Sequence, residues 1–138
     1  GRFDMILLHL FIVDRRFEKE GKIADKIRRQ IQEALISDMD RSLREMGVGD
    51  MSVGKEVKKM GAAWFGRVKA YTGAIKADAP KPDLAEAIKK NLYKGNETPC
   101  AEQMADYTLE ALQKLASYTF EDMVASEFEF PDIKVEAK

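Results

Sequence analysis

A single cysteine, Cys100, stands in the 138 residues, which excludes an intrachain disulfide and any multi-cysteine metal cluster within one chain. The count is compatible with a compartment that keeps thiols reduced. Histidine is as scarce. His9 lies among apolar neighbours with no cysteine at metal-ligand spacing, so a zinc site or a catalytic triad has little to build on, and a satisfied buried or interfacial imidazole is the default. No serine stands in a Gly-x-Ser-x-Gly setting. Charge of one sign is also missing: 23 Lys and Arg face 24 Asp and Glu, and a net charge of -1 gives no blanket reason to expect nucleic acid or an anionic membrane. The apolar run MILLHLFIV, residues 5 to 13, is far short of the roughly 18 apolar residues that span a bilayer. It is followed by acids and bases from Asp14 to Glu20 and by no small-residue cleavage site, which argues against a signal peptide. The chain opens on Gly1-Arg2 without an initiator Met, as a trimmed sequence would, so a leader or upstream helix is expected to be missing.

What is present describes a folding chain. Apolar residues make up 45% and charged residues 34%, with only four prolines, a globular composition sized for one domain. The charge is unevenly spread: residues 50 to 77 hold six basic and two acidic side chains, residues 99 to 138 three basic and nine acidic. The expectation is a dipolar molecule in which these two regions attract each other.

Hydrophobic periodicity sets the elements. Residues 3 to about 20 repeat apolar side chains widely enough for a mostly buried helix, although residues 6 to 13 alone also read as a short strand; length and the charged continuation favour helix. Gly21 ends it. Ile23, Ile27, Ile31, Leu35, Met39, Leu43 and Met46 then form the stripe of a long helix over 22–46, suited to globular packing more than to a coiled-coil seam. Val53, Val57, Met60, Trp64, Val68, Tyr71 and Ile75 mark another over about 52–77, capped by Ser52 or Asp50. Pro80 and Pro82 break the chain, Asp83 caps a shorter helix closed by Gly95-Asn96, and Thr98-Pro99 starts a last helix running to about residue 126. The tail EFEFPDIKVEAK contains Pro131 and reads as extended or disordered. The fold class is all-α: a single compact, bundle-like domain of about four long helices and one short helix over 1–127, with a tail over 128–138.

Between the second and third helices lies REMGVGDMSVGK, which approaches the phosphate-binding pattern G-x-x-x-x-G-K-[ST]. That chemistry needs a strand leading in and a hydroxyl after the lysine. Here the lead-in is helical in pattern and Glu56 follows Lys55, so Gly47-Val48-Gly49 is a helix elbow. Asp38 and Asp40 diverge on a helix and make a poor acid-base pair, while Arg44 can reach Asp40 across one turn. Gly54, Gly61, Gly66 and Gly73 each cost about 1 kcal/mol inside a helix, which calls for close approach by another backbone or a kink near Gly66. Lys55, Lys58, Lys59, Arg67 and Lys69 line these small residues with positive charge, as a face for a protein partner or as a solvated rim. Trp64 is the core residue of its pair and Phe65 the candidate for exposure.

LHLFIVDRRF, SDMDRSLREMGVGDMSVGKEVKKM, WFGRVKAY and NLYKG together resemble the ubiquinol-cytochrome c chaperone family over about residues 8 to 115. The resemblance implies an all-helical protein that is not an enzyme and needs no cofactor. Such a protein binds newly made cytochrome b and supports haem insertion and assembly of the cytochrome bc1 complex. It implies peripheral contact with the membrane, at the cytoplasmic face of a bacterial inner membrane or the matrix face of the mitochondrial one. In mitochondrial relatives it implies a small assembly partner and the ribosome as neighbours. Arg15, Arg16, Asp38, Asp40, Arg44, Gly47, Gly49, Asp50, Gly54, Lys55, Gly66, Arg67 and Tyr71 carry the pattern; Trp64 and the light stretch Gly61-Ala62-Ala63 depart from it, and the family's upstream segment is absent. The candidate protein-binding residues are Arg15, Arg16, Asp38, Asp40, Arg44, Asp50, Lys55, Lys58, Phe65, Arg67 and Tyr71. The competing expectation is a small helical ligand-binding protein or enzyme with a polar pocket near His9, Arg15, Arg16, Asp38 and Asp40. An exposed apolar groove rimmed by charge would favour the chaperone, a closed pocket of converging charges the alternative.

Overall fold

A wide apolar face needs neighbours on more than one side, and the first helix has them. In the computed structural model, which describes residues 2–78, 80–96 and 98–133, α1 (Arg2–Glu18) buries Leu7, Leu8, Phe11 and Ile12 completely. It packs against α2 (Asp25–Glu45), α3 (Asp50–Ile75), α4 (Pro80–Leu92), α5 (Pro99–Ala116) and the 3-10 turn Gly21–Ala24. The run at residues 5 to 13 is therefore helix at the centre of the core, and among the described residues there is no strand.

α2 lies at the edge of the bundle. Its stripe is only half covered: Ile27, Ile31 and Leu35 pack partly on the core, no residue of the helix is fully buried, and Ile23 and Met46 at the ends of the stripe are exposed. A half-buried ion pair fastens it to α1, Arg28 reaching both oxygens of the buried Asp14 at 2.9 and 3.0 Å. The hydrogen bond to Asp14 is the main reason the Arg28 guanidinium is held above its ordinary pKa.

The elbow after α2 ends the helix by backbone geometry. Gly47 takes the left-handed conformation (φ +87°), its N–H donates to the Arg44 carbonyl at 3.0 Å, and the Val48 N–H donates to the Leu43 carbonyl at 3.1 Å. This pairing satisfies two of the carbonyls a helix end leaves open, and a side chain at Gly47 would strain it. The expected caps of α3 are corrected: Gly49 is the N-cap, with no side-chain cap bond, and Asp50 and Ser52 sit inside the first turn.

α3 turns Val53, Trp64, Tyr71 and Ala74 inward, Tyr71 meeting Phe11 with ring centroids 5.4 Å apart. Its glycines do not follow the sequence argument. A Cβ at Gly54, Gly66 or Gly73 would meet nothing within 4 Å, and one at Gly61 would only touch Ile36 at 4.0 Å, so no close approach within this chain calls for them. Gly54→Ala and Gly73→Ala are each expected to stabilise the fold by about 0.5–1 kcal/mol, read as a higher urea midpoint.

The last helix expected over 98–126 is two helices. Thr98 caps α5, accepting from the Cys100 N–H at 3.2 Å with Pro99 at the first helical position, as its sequence indicates. The chain then breaks at Ser117-Tyr118, and Thr119 starts α6 (Phe120–Val124) with a reciprocal capping box to Asp122. Residues 127–133 have no regular secondary structure, and residues 134–138 of the expected tail lie outside the described residues.

The charge expectation is also corrected. α4 packs against both α3 and α5, which do not pack substantially on each other, and the described ion pair at α5 is Lys81–Asp106 at 3.2 Å from α4. Among the described residues the basic and acidic regions form no ion pair with each other.

Candidate functional site

Two half-covered stripes meet where α1 and α2 lie side by side. Met5, Ile6, His9, Leu10 and Val13 of α1, at helical spacing, face Ile31, Ala34 and Leu35 of α2 across an open groove of about 530 Å³. Phe130 from the segment after α6 closes one part of it, and Asp38 supplies the acidic group in its lining. The segment is held by a chain of ring contacts: Phe128 on Tyr118 at 6.4 Å, Phe130 on Phe128 at 5.8 Å, and Phe130 edge-on to His9 at 4.9 Å. The Glu129 N–H donates to the Tyr118 hydroxyl at 3.3 Å.

His9 is satisfied on both nitrogens. Nδ1 lies 2.8 Å from the Met5 carbonyl, to which it donates, which makes Nε2 the acceptor for the Tyr107 hydroxyl at 2.7 Å. Burial, then Glu110, pushes the Tyr107 hydroxyl pKa up, which keeps that donor protonated. The imidazole is thereby fixed as part of the groove wall. Among the described residues no group of three His, Cys, Asp or Glu could hold a metal ion.

The five residues of the competing pocket do not converge. His9 and Asp38 share the groove. Arg15 pairs with Glu18 at 2.8 Å, Asp40 pairs with Arg44 at 2.6 Å on the far side of α2, and Arg16 is buried against α5. Asp38 itself pairs with Arg41.

The remaining candidates divide by burial. Asp40, Arg44 and Asp50 form a clasp across the elbow, Arg44 contacting both acids; its guanidinium pKa is raised by the hydrogen bond to Asp40 first and to Asp50 second. Lys55, Lys58 and Phe65 are exposed, Phe65 to 66%. Arg16 and Tyr71 have almost no surface to offer a partner, at 7% and 0% exposure. Arg67 is turned inward, with Nη2 at 2.6 Å from Asp4, Nε at 3.5 Å from Asn91, and the guanidinium 5.8 Å from the Phe3 ring centroid.

Tyr71 has a hydroxyl buried without a hydrogen-bond partner. Burial, opposed by Arg67 and reinforced by Asp4, pushes its pKa from 10.0 up to about 12. An unfolded tyrosine loses its proton near 10, so above that pH the native state holds the extra proton and stability falls as pH rises, by on the order of 2 kcal/mol by the time the folded group ionises. Tyr71→Phe is expected to remove this alkaline limb and to leave neutral-pH stability unchanged or slightly higher, because no bond is lost. Urea titrations on both sides of pH about 10 check it.

The residues that sequence reasoning missed are the groove walls, chiefly Ile6, Leu10, Ile31, Leu35 and Phe130. The available signal was the narrow stripe of α2, flanked by polar residues on both sides. With this geometry in view, comparison with known proteins is decisive. A family model described as ubiquinol-cytochrome C chaperone matches residues 1–130. The chain belongs to that family. The crystal structure of the Cbp3 homolog from Brucella abortus is similar to this family member at 31% sequence identity and a TM-score of 0.83, over 99% of this chain and 76% of the other. No curated protein matches the chain by sequence. Among the described residues no helix of this chaperone-family chain is long and apolar enough to cross a membrane.

Proposed function

We propose that this chain is a non-enzymatic assembly chaperone that binds newly made cytochrome b and supports assembly of the cytochrome bc1 complex. The observation that carries the reading is the open apolar groove between α1 and α2, found in a member of this chaperone family. A client built of membrane helices exposes apolar surface before assembly, and a groove of this chemistry can cover part of it. Loops of such clients on the cytoplasmic or matrix side carry excess Lys and Arg. The exposed Glu129 and Asp132 beside Phe130 are the complement available to them, joined by Asp38 in the groove where a client cation displaces Arg41 from it. Work at the cytoplasmic or matrix face of the membrane, near the ribosome and a small assembly partner, belongs to the same proposal.

The test is residue-resolved crosslinking during synthesis of cytochrome b, with a photoreactive side chain at Ile6, at Leu35, or at Ile23, which is 68% exposed in the 3-10 turn outside the groove. Adducts are expected from Ile6 and Leu35 and not from Ile23. An even spread over all three counts against the groove as client site.

A further inference from the structure

The outer face of α3 is a second surface with a chemistry of its own. Lys55, Lys58, Lys59, Lys69 and Lys76 are all exposed, and Phe65 stands among them. At about 100° per residue, Lys58, Ala62, Phe65, Lys69 and Lys76 fall on one stripe, with Lys55 and Lys59 at its edge. The acid on this stretch, Glu56, is half-buried and lies 3.8 Å from Lys59; among the described residues Lys55, Lys58, Lys69 and Lys76 form no ion pair. Asp50 is engaged by Arg44, and the acids of α5 lie beyond α4. At one edge of the face Asp83 and Glu86 of α4 share a pocket with Gly66 and Gly73, with Arg67 and Lys90 beside them, so the field is positive along the lysine stripe and falls toward α4.

Its shape narrows the partner. Small residues, Ala62, Gly66 and Gly73, separate the lysines, and nothing inside the chain requires those glycines. The result is a face along a helix of 26 residues, about 39 Å long by helix rise, from which two large apolar side chains project, Met51 and Phe65, 84% and 66% exposed. A single-stranded nucleic acid would call for several stacking aromatics and for arginine forks, but one exposed ring is present and the arginine of α3, Arg67, is turned to Asp4. Lysine point charges on flexible apolar stems, with one ring between them, suit a planar anionic surface that is apolar just beneath its charge.

We propose that this face docks on an anionic phospholipid bilayer, the lysines meeting the headgroups and Phe65 entering between them. The claim rests on the membrane-face part of the proposed function and deepens it by naming the surface and the lipid chemistry; it does not depend on client binding, because it concerns a different chemistry on a different helix face. The acidic α5 and the segment after α6 are repelled by the same surface, which sets the docked orientation.

The experiment is co-sedimentation of the whole chain with phosphatidylcholine vesicles, with and without phosphatidylglycerol, at low and high salt. Binding is expected only with phosphatidylglycerol and is expected to be lost at high salt. The triple variant Lys55→Gln/Lys58→Gln/Lys69→Gln is expected to partition about a hundredfold more weakly, and Phe65→Ser about five- to tenfold, with unchanged thermal melts because all four positions are exposed. The control triple Lys19→Gln/Lys22→Gln/Lys26→Gln, equal in charge change and also exposed, should bind as the parent does. The proposal is overturned if neutral vesicles bind equally, if the control triple loses as much, or if the α3 lysines bind single-stranded RNA or an acidic peptide while vesicles are ignored. A chain that takes up client without vesicles, or vesicles without client, separates this claim from the chaperone reading.

Discussion

Arg16→Ala is expected to lower the folding free energy by about 3–5 kcal/mol, a large share of the 5–15 kcal/mol typical of a domain. The side chain is 7% exposed and uses each of its nitrogens. Nε donates to the Leu115 carbonyl at 3.0 Å, Nη2 to the Tyr118 carbonyl at 2.7 Å, and Nη1 to Glu20 at 2.7 Å. Leu115 and Tyr118 flank the end of α5, where the last carbonyls of a helix have no partner of their own and a cation is favoured by the helix dipole. Alanine strands the Tyr118 carbonyl, leaves the Leu115 carbonyl with only the Tyr118 N–H at 3.2 Å, and leaves Glu20 without its cation, so most of the cost is desolvation that nothing repays. Arg16→Lys keeps the charge but cannot bridge three acceptors, and is expected to lose about 1–2 kcal/mol. Urea titration followed by circular dichroism measures both, the lysine variant remaining readable if alanine unfolds the chain. A loss below about 1 kcal/mol for Arg16→Ala would show that the α5 end holds itself.

The same side chain explains why the α5–α6 break was hidden. Apolar residues continue at helical spacing through Leu112, Leu115, Thr119 and Met123, so the pattern reads as one helix. The capping box at Thr119-Phe120-Glu121-Asp122 was written inside that stripe, but its use depends on Arg16, ninety-nine residues before Leu115 in the chain. Local rules identify both alternatives and cannot choose between them. The elbow after α2 was legible because its cause is local: Gly47 supplies the left-handed residue that ends the helix, and its partners lie within five residues.

The site was less legible than the fold for a related reason. Periodicity shows which face of a helix is apolar, not whether a neighbour covers it. The stripe of α2 predicted burial, yet Ile31 and Leu35 stop at a groove because α1 spends its most buried residues, Leu7, Leu8, Phe11 and Ile12, on the core. Charged residues misled in the opposite direction. Arg16, Arg67 and Asp14 have the composition of surface groups, but each has distant partners, on α5, α1 and α2 respectively, that draw it inward. Lone letters of charge carry no record of such partners.

Ile6→Asp is expected to weaken binding of a lysine-flanked apolar client peptide by about 3 kcal/mol, more than a hundredfold in Kd. Ile6 is 39% exposed in the groove of the free chain, so a carboxylate there is solvated and the fold loses little. An apolar helix laid into the groove would remove that water and leave the charge beside Ile31, Leu35 and Leu10 with no cation inside the lining. The penalty therefore appears only in the complex. Ile23→Asp makes the same chemical change at a residue 68% exposed outside the groove and should alter Kd by less than about twofold. Titration of each variant by fluorescence anisotropy, with melting curves to confirm equal folding, reads the difference. Raising salt should weaken the parent further if Asp38, Glu129 and Asp132 meet the peptide's lysines, since exposed pairs are screened. An affinity indifferent to salt would remove the acidic rim from the binding model while leaving the apolar contact, whereas equal losses for Ile6→Asp and Ile23→Asp would remove the groove itself.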